Sequence, residues 1–301
     1  MKAANLTFLA LVASTALMTG VIAHGARAAD VAESQAAADD PFSGVWAQDV
    51  LERLVVGPTD TLDKGDLARA EQQVEAMIAR APDAAERGRI MTAWAIALMT
   101  HHSDKGDALP WLRRAVGEAR QAYPADSRLL AMSLGDYGSF EVRERGARTS
   151  PEAEDALVEA VDIQRRILGP GHVETLSTSV SLGTLRGLPA RTQGDPARIA
   201  AAARLFEPLL TANRPAEPGD LDQFFLDWTD MLIANGQPDA ACAVLQKTAT
   251  LGDRLRMNLD FIRFQTGIKL RDAGFTDHAA PLIDVDRYLS DGPAKASGCG
   301  S

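Results

Sequence analysis

This sequence is short of aromatic side chains, nearly without cysteine, and free of long β-branched runs. Aromatics make up 5% of 301 residues, and only Cys242 and Cys299 carry a thiol. Without β-branched runs the usual material of sheets is missing. Alanine recurs instead, which favours helices that pack closely through small residues. Two cysteines at unrelated positions do not make a disulfide framework. Cys242 falls in a helical pattern and reads as a small core residue; whether it bridges Cys299 stays open. Catalytic signatures are missing as well: there is no HExxH, GxSxG, Walker A loop, GxGxxG, CxxC or CxxCH. No catalytic residue, cofactor or metal set is therefore assigned. Basic charge is also scarce. The formal net charge is −10, with no Lys/Arg cluster to offset it. A phosphate backbone would be repelled, so nucleic acid is not an expected partner.

What is present begins with a targeting segment. Met1-Lys2 gives a positive start, Ala3 to Ala23 is uncharged and mostly apolar, and Ala26-Arg27-Ala28 supplies a small-x-small site. We expect residues 1–28 to be a signal peptide cleaved after Ala28, with the chain exported to the periplasm or cell envelope. Membrane insertion is not expected after cleavage; the alternative is an uncleaved anchor. Residues 29–43 read as a flexible acidic lead-in, 44–289 as the folded domain, and 290–301 as a disordered tail.

The folded domain is organised around Thr149 to Arg186. Ser150 is a natural N-cap, Pro151 sits where a missing N–H costs nothing, and Glu152 complements the helix dipole. Ala153, Ala156, Ala160, Ile163 and Ile167 then form one apolar stripe on a 3.6-residue period. Gly169-Pro170-Gly171 stops that helix, and Val173, Leu176 and Val180 begin another. A helix pair of this kind needs neighbours built the same way. Gly65, Gly106, Gly146, Gly194, Gly236 and Gly274 each precede a fresh amphipathic helix, at intervals of 38 to 48 residues. That is the length of a helix hairpin with its turns. Leu232/Leu270, Asp239/Asp277, Ala241/Ala279 and Leu245/Ile283 align 38 residues apart. The Pro/Gly stretch from Gly187 to Pro196 reads as a surface insertion.

The segment ILGPGHVETLSTSVSLGTL, 167 to 185, resembles the tetratricopeptide repeat family in its kinesin-light-chain-like form. It carries that form's helix end, Leu-Gly-Pro-x-His turn and Leu-Gly pair (Leu182-Gly183, repeated at Leu134-Gly135). The family's small and large apolar positions match Ala70, Val74 and Met77, then Ala241 and Leu245, then Ala279 and Ile283. The resemblance implies an all-α, right-handed superhelical solenoid of about six antiparallel helix hairpins, whose first helices line an inner groove. A partner protein or peptide segment would lie there. The groove-facing polar residues it implies are Asp136, Thr184, Gln223, Asp227, Asp230, Arg263 and Arg271. Arg263 and Arg271, with Phe261 and Phe264, suit an acidic or C-terminal segment.

The expected role is therefore a non-catalytic binding scaffold. Two alternatives remain: an envelope-remodelling or hydrolytic helical-repeat enzyme, and a self-assembling structural protein. His172 reads as a helix-start residue and His278 as part of a capping turn. Trp111 and Trp228 fall on apolar stripes and read as core rather than groove anchors.

Overall fold

The computed structural model describes residues 48–101, 107–211, 220–255 and 257–283, and among them there are helices and no strands. The leader, its cleavage site, the acidic lead-in, Trp46, Gly106, Cys299 and the 290–301 tail lie outside the described residues. No described helix is long and apolar enough to cross a membrane.

The chain divides into two compact units, Met1–Ala122 and Tyr123–Ser301. The first holds α1 (Gln48–Leu54), α2 (Val56–Asp63), α3 (Leu67–Arg80), α4 (Ala84–His101) and α5 (Leu109–Ala122). Asp66 caps α3 by accepting a bond from the Arg69 N–H at 3.1 Å, and Ala70, Val74 and Ile78 on its inner face are buried. Trp94 on α4 and Trp111 on α5 meet edge to face at 6.5 Å, both buried. They are core residues, as the apolar stripe predicts for Trp111.

The second unit runs α6 (Arg128–Arg145), α7 (Pro151–Ile167), α8 (Val173–Gly187), a single turn α9 (Pro189–Thr192), α10 (Pro196–Ala203), α11 (Asp220–Ala234), α12 (Pro238–Leu255), α13 (Leu259–Asp272) and α14 (Thr276–Ile283). The long helices pack in sequential pairs: α6 with α7, α8 with α10, α11 with α12, and α13 with α14. First helices also touch along the series, α6 to α8, α8 to α11 and α11 to α13. The unit is thus an array of helix hairpins.

Local chemistry explains the boundaries. The Ser150 hydroxyl accepts from Ala153 N–H at 3.3 Å, and Pro151 opens α7. Its stripe is buried from Ala153 to Ile163, but Ile167 is 42% exposed because the helix ends there. Gly236 and Gly274 both have positive φ, 69° and 88°, a conformation a Cβ would strain. Each places the next helix back against its predecessor. The glycine of the Leu182-Gly183 pair has a different purpose: a Cβ there would lie 2.5 Å from the Phe206 ring. Phe206 in turn stacks on Trp228 at 5.8 Å, and Phe225 stacks on Trp228 at 6.3 Å. Aromatic pairs of this kind add about 0.5–1.5 kcal/mol each beyond the area they bury.

The stretch from Gly187 to Pro196 lies largely on the surface, as expected, but it is not independent of the core. It contains α9, and buried Thr192 donates to Asn235 Oδ1 at 2.6 Å while Asn235 Nδ2 donates to the Gly187 carbonyl at 2.6 Å. The stretch is tied into the following hairpin. Cys242 is indeed a small core residue, 5% exposed, but it is also disulfide-bonded.

Candidate functional site

The polar residues expected on first helices lie on α6, α8, α11 and α13, and the first three helices carry one group each. Asp136 stands on α6 beside Glu174, the second residue of α8. Arg128 forks onto the Glu174 carboxylate, its Nε 3.1 and 3.2 Å from the two oxygens. Asp136 keeps contact with solvent while protein crowds it. That crowding raises its carboxyl to about 7, and Glu174 adds to the rise. Its solvent contact means that the shift does not translate into a stability figure. Thr184 on α8 is half-buried, and among the described residues its hydroxyl oxygen is covered without a hydrogen-bond partner.

The third group is on α11. Gln223 Nε2 donates to Asp227 Oδ1 at 2.9 Å, and Asp230 Oδ2 lies 3.1 Å from Lys269 Nζ of α13. Burial raises Asp227 to about 7; Asp230 pushes further in the same direction, while Gln223 and Lys269 oppose. Burial raises Asp230 as well, against the pull of Lys269. Beneath them the Thr229 and Thr266 hydroxyls share a buried bond of 3.2 Å. Gln223, Asp227 and Asp230 are therefore brought together, with Lys269 as their cation.

Arg263 and Arg271 are not brought together. Arg263 is 7% exposed and donates from Nη2 to the Pro281 carbonyl at 2.7 Å. It satisfies an acceptor in the last turn of α14, where helix carbonyls lack internal partners. Arg271 is exposed and binds its own neighbour Asp272 through Nε and Nη2 at 3.1 and 3.0 Å. A two-arginine anchor for an acidic segment is thus corrected: one guanidinium braces a helix end and the other is held locally.

Several polar residues escaped the sequence reading. Lys269 carries no local signal of its own, since its partner Asp230 lies on another helix. Asp222 is buried and accepts from the Asn258 N–H at 3.1 and 3.2 Å, bracing the start of α13. Glu141 on α6 is sealed from solvent and accepts from the Ser150 N–H at 2.7 Å. No local pattern marks these, since their partners are 36 and 9 residues away. His172 does cap α8, its Nδ1 facing the Glu174 N–H at 3.3 Å. His278 pairs with Asp239 at 2.9 Å rather than with Asp277. Among the described residues no group of three or more His, Cys, Asp or Glu is placed to hold a metal ion.

No family model matches this sequence, and no curated protein matches it. Among solved structures it is similar to the crystal structure of BtubC (BKLC) from P. vanneervenii. The two share 18% identity at a TM-score of 0.49, over 74% of this chain and 87% of that one.

Proposed function

We propose that this chain is an exported, non-catalytic scaffold that holds a segment of a partner protein along the first helices of a right-handed hairpin superhelix. The observation that carries this reading is the set of polar groups on α6, α8 and α11. Asp227 is desolvated enough to sit near neutrality, Asp136 is raised as well where protein crowds it, and the Thr184 hydroxyl has no described partner. Such groups are costly to leave unmatched, so a segment that supplies hydrogen bonds to them would gain affinity. The strip is acidic, and it supports a segment rich in donors or cations over an acidic one. Export rests on the leader sequence, and the disulfide at Cys242 fits an oxidising compartment. The absence of catalysis rests on the sequence motifs.

The test is capture from an envelope extract with the mature chain as bait, compared with an Asp136→Asn/Asp227→Asn double variant. We expect one principal partner with wild type and at least a tenfold loss with the variant at a melting temperature no lower than that of wild type. Equal capture by both would overturn the reading.

A second reading, end-to-end self-association, has one observation in its favour. Phe261 and Phe264 on α13 are 39% and 45% exposed, whereas Leu226, 38 residues before Phe264, is 5% exposed. A Phe261→Ser/Phe264→Ser variant should then shift the mass in solution towards the monomer. A monomeric wild type at high concentration would dismiss it.

A further inference from the structure

We infer that Asn235 is a site of non-enzymatic deamidation that the fold itself holds shut, and that conversion there unties the α9 turn from the α11/α12 hairpin. Of the four asparagines only Asn235 is followed by glycine. Glycine has no Cβ to hinder its backbone nitrogen, so an asparagine side chain reaches that nitrogen more readily than any other residue's. The Asn235 amide meanwhile joins three elements. Nδ2 donates to the Gly187 carbonyl at the end of α8 at 2.6 Å and to the Met231 carbonyl of α11 at 2.8 Å. Both carbonyls lie in the last turn of their helices, where intrahelical donors run out. Oδ1 accepts from the hydroxyl of fully buried Thr192 on α9 at 2.6 Å. Both amide N–H groups and the amide oxygen are thus engaged.

The reaction is a cyclisation. The Gly236 nitrogen, once deprotonated, bonds to Asn235 Cγ; the Cγ–Nδ2 bond breaks, and the amide nitrogen takes up a proton and leaves as ammonia. Water then opens the succinimide at either of its carbonyls, leaving aspartate or isoaspartate at position 235. In the closed fold both reacting groups are held elsewhere. The Gly236 N–H donates to the Ile233 carbonyl at 2.9 Å, and the side chain is fixed by its three bonds. Ring closure therefore waits for a local opening of the turn, and its rate follows the population of that open form. Either product removes both amide donors. A carboxylate then faces the Gly187 and Met231 carbonyls, acceptor against acceptor, and the tie cannot re-form. Isoaspartate also lengthens the main chain directly before Gly236, whose φ is 69°.

The experiment follows the whole folded chain at pH 8 by peptide mapping and mass spectrometry, beside a synthetic peptide of residues 231–240 as the unfolded reference. Conversion at Asn235 should run more than about tenfold slower in the fold than in the peptide. Thr192→Val removes one of the three bonds at nearly constant shape and should speed conversion about fivefold, the shift that one net hydrogen bond makes in the open population. Asn235→Asp carries the charge of the product, and it should lose hydrogen-exchange protection at Arg191, Thr192 and Gln193, whose N–H groups the α9 turn bonds, while α7 keeps its own. Conversion in the fold as fast as in the peptide would overturn the inference, as would equal rates in wild type and Thr192→Val. An Asn235→Asp chain whose α9 turn is protected like wild type would overturn it too. Should Thr192→Val fail to fold, wild type in sub-denaturing urea decides: conversion that rises in step with exchange in α9 supports the gate, and conversion that does not rise refutes it.

Discussion

The second unit joins its hairpins in two different ways. Between α6 and α9 the links are arginine to glutamate: Arg128 on Glu174, and Arg186 and Arg191 together on Glu154. Between α11 and α14 they are aspartate to lysine, histidine or backbone N–H. Side-chain length explains the contrast. A glutamate reaches far enough to meet a guanidinium fork, and the doubled bond fixes the charged form. Burial works against ionisation of Glu154, yet Arg186 and Arg191 more than offset it, so its carboxyl lies below the ordinary range. The shorter aspartates stay close to α11, where desolvation wins and their carboxyls rise. The arginine–glutamate links are thus ionised throughout the neutral range, whereas the carboxyl of Asp227 changes its balance there.

The largest break in that comparison should come from Glu141. It is fully covered, and its ionisation is opposed by burial but restored by the Ser150 N–H, Tyr137 and Arg145, leaving it below the ordinary range. Glu141→Ala would strand the Ser150 N–H at the start of α7 and open a void beside it. We expect a loss of about 3 kcal/mol in urea unfolding at pH 7. The sign with pH is that of a lowered carboxyl: its contribution is present above pH 4 to 5 and vanishes as the pH falls through the folded value. The gap between wild type and Glu141→Ala should therefore narrow in acid without closing, since the void remains. A loss below 1 kcal/mol at pH 7 would show that the bond adds little.

The hairpins were legible in the sequence because glycine and capping residues are local signals. Gly65, Gly146, Gly194, Gly236 and Gly274 all take positive φ, as their place before each helix implies. The Leu-Gly pairs were visible as a family pattern, but their reason is spatial. Gly183 admits Phe206, and Gly135 faces the Thr178 hydroxyl, which a Cβ would approach to 3.1 Å. Asp227 and Asp230 were read as groove residues from helix position alone, and the structure gathers them. Arg263 and Arg271 were not legible, since which face of α13 meets α14 depends on the crossing of two helices. A rotation of one residue, about 100° on a helix, separates a groove cation from one that braces Pro281. The tie between the 187–196 stretch and the next hairpin was not legible for a related reason. Proline and glycine mark a turn, but they do not say that Thr192 and Asn235 will meet across 43 residues.

The smallest expected effect sharpens the comparison best. Glu154 accepts from Arg186 Nε at 3.0 Å, and Arg191 binds its other oxygen while also donating to the Thr149 carbonyl at 3.2 Å. The side chains of Arg186 and Glu154 are 44% and 24% exposed, so solvent screens much of the attraction. Exposed pairs contribute about 0–1 kcal/mol, and a shared carboxylate belongs at the upper end. Glu154→Gln keeps the shape and removes the charge, and it should cost about 0.5–1 kcal/mol at pH 7 in low salt. The folded carboxyl is lowered, so this contribution exists above the ordinary glutamate value and is lost as the pH falls through the folded one. Between pH 6 and pH 8 the difference between wild type and Glu154→Gln should therefore stay flat, in the window where the Asp227 carboxyl changes its balance. Salt should shrink the Glu154 effect, because the pair is partly exposed. A Glu154→Gln difference that changed between pH 6 and 8 would mean that the two kinds of joint respond alike, and the contrast between arginine–glutamate and aspartate joints would fail.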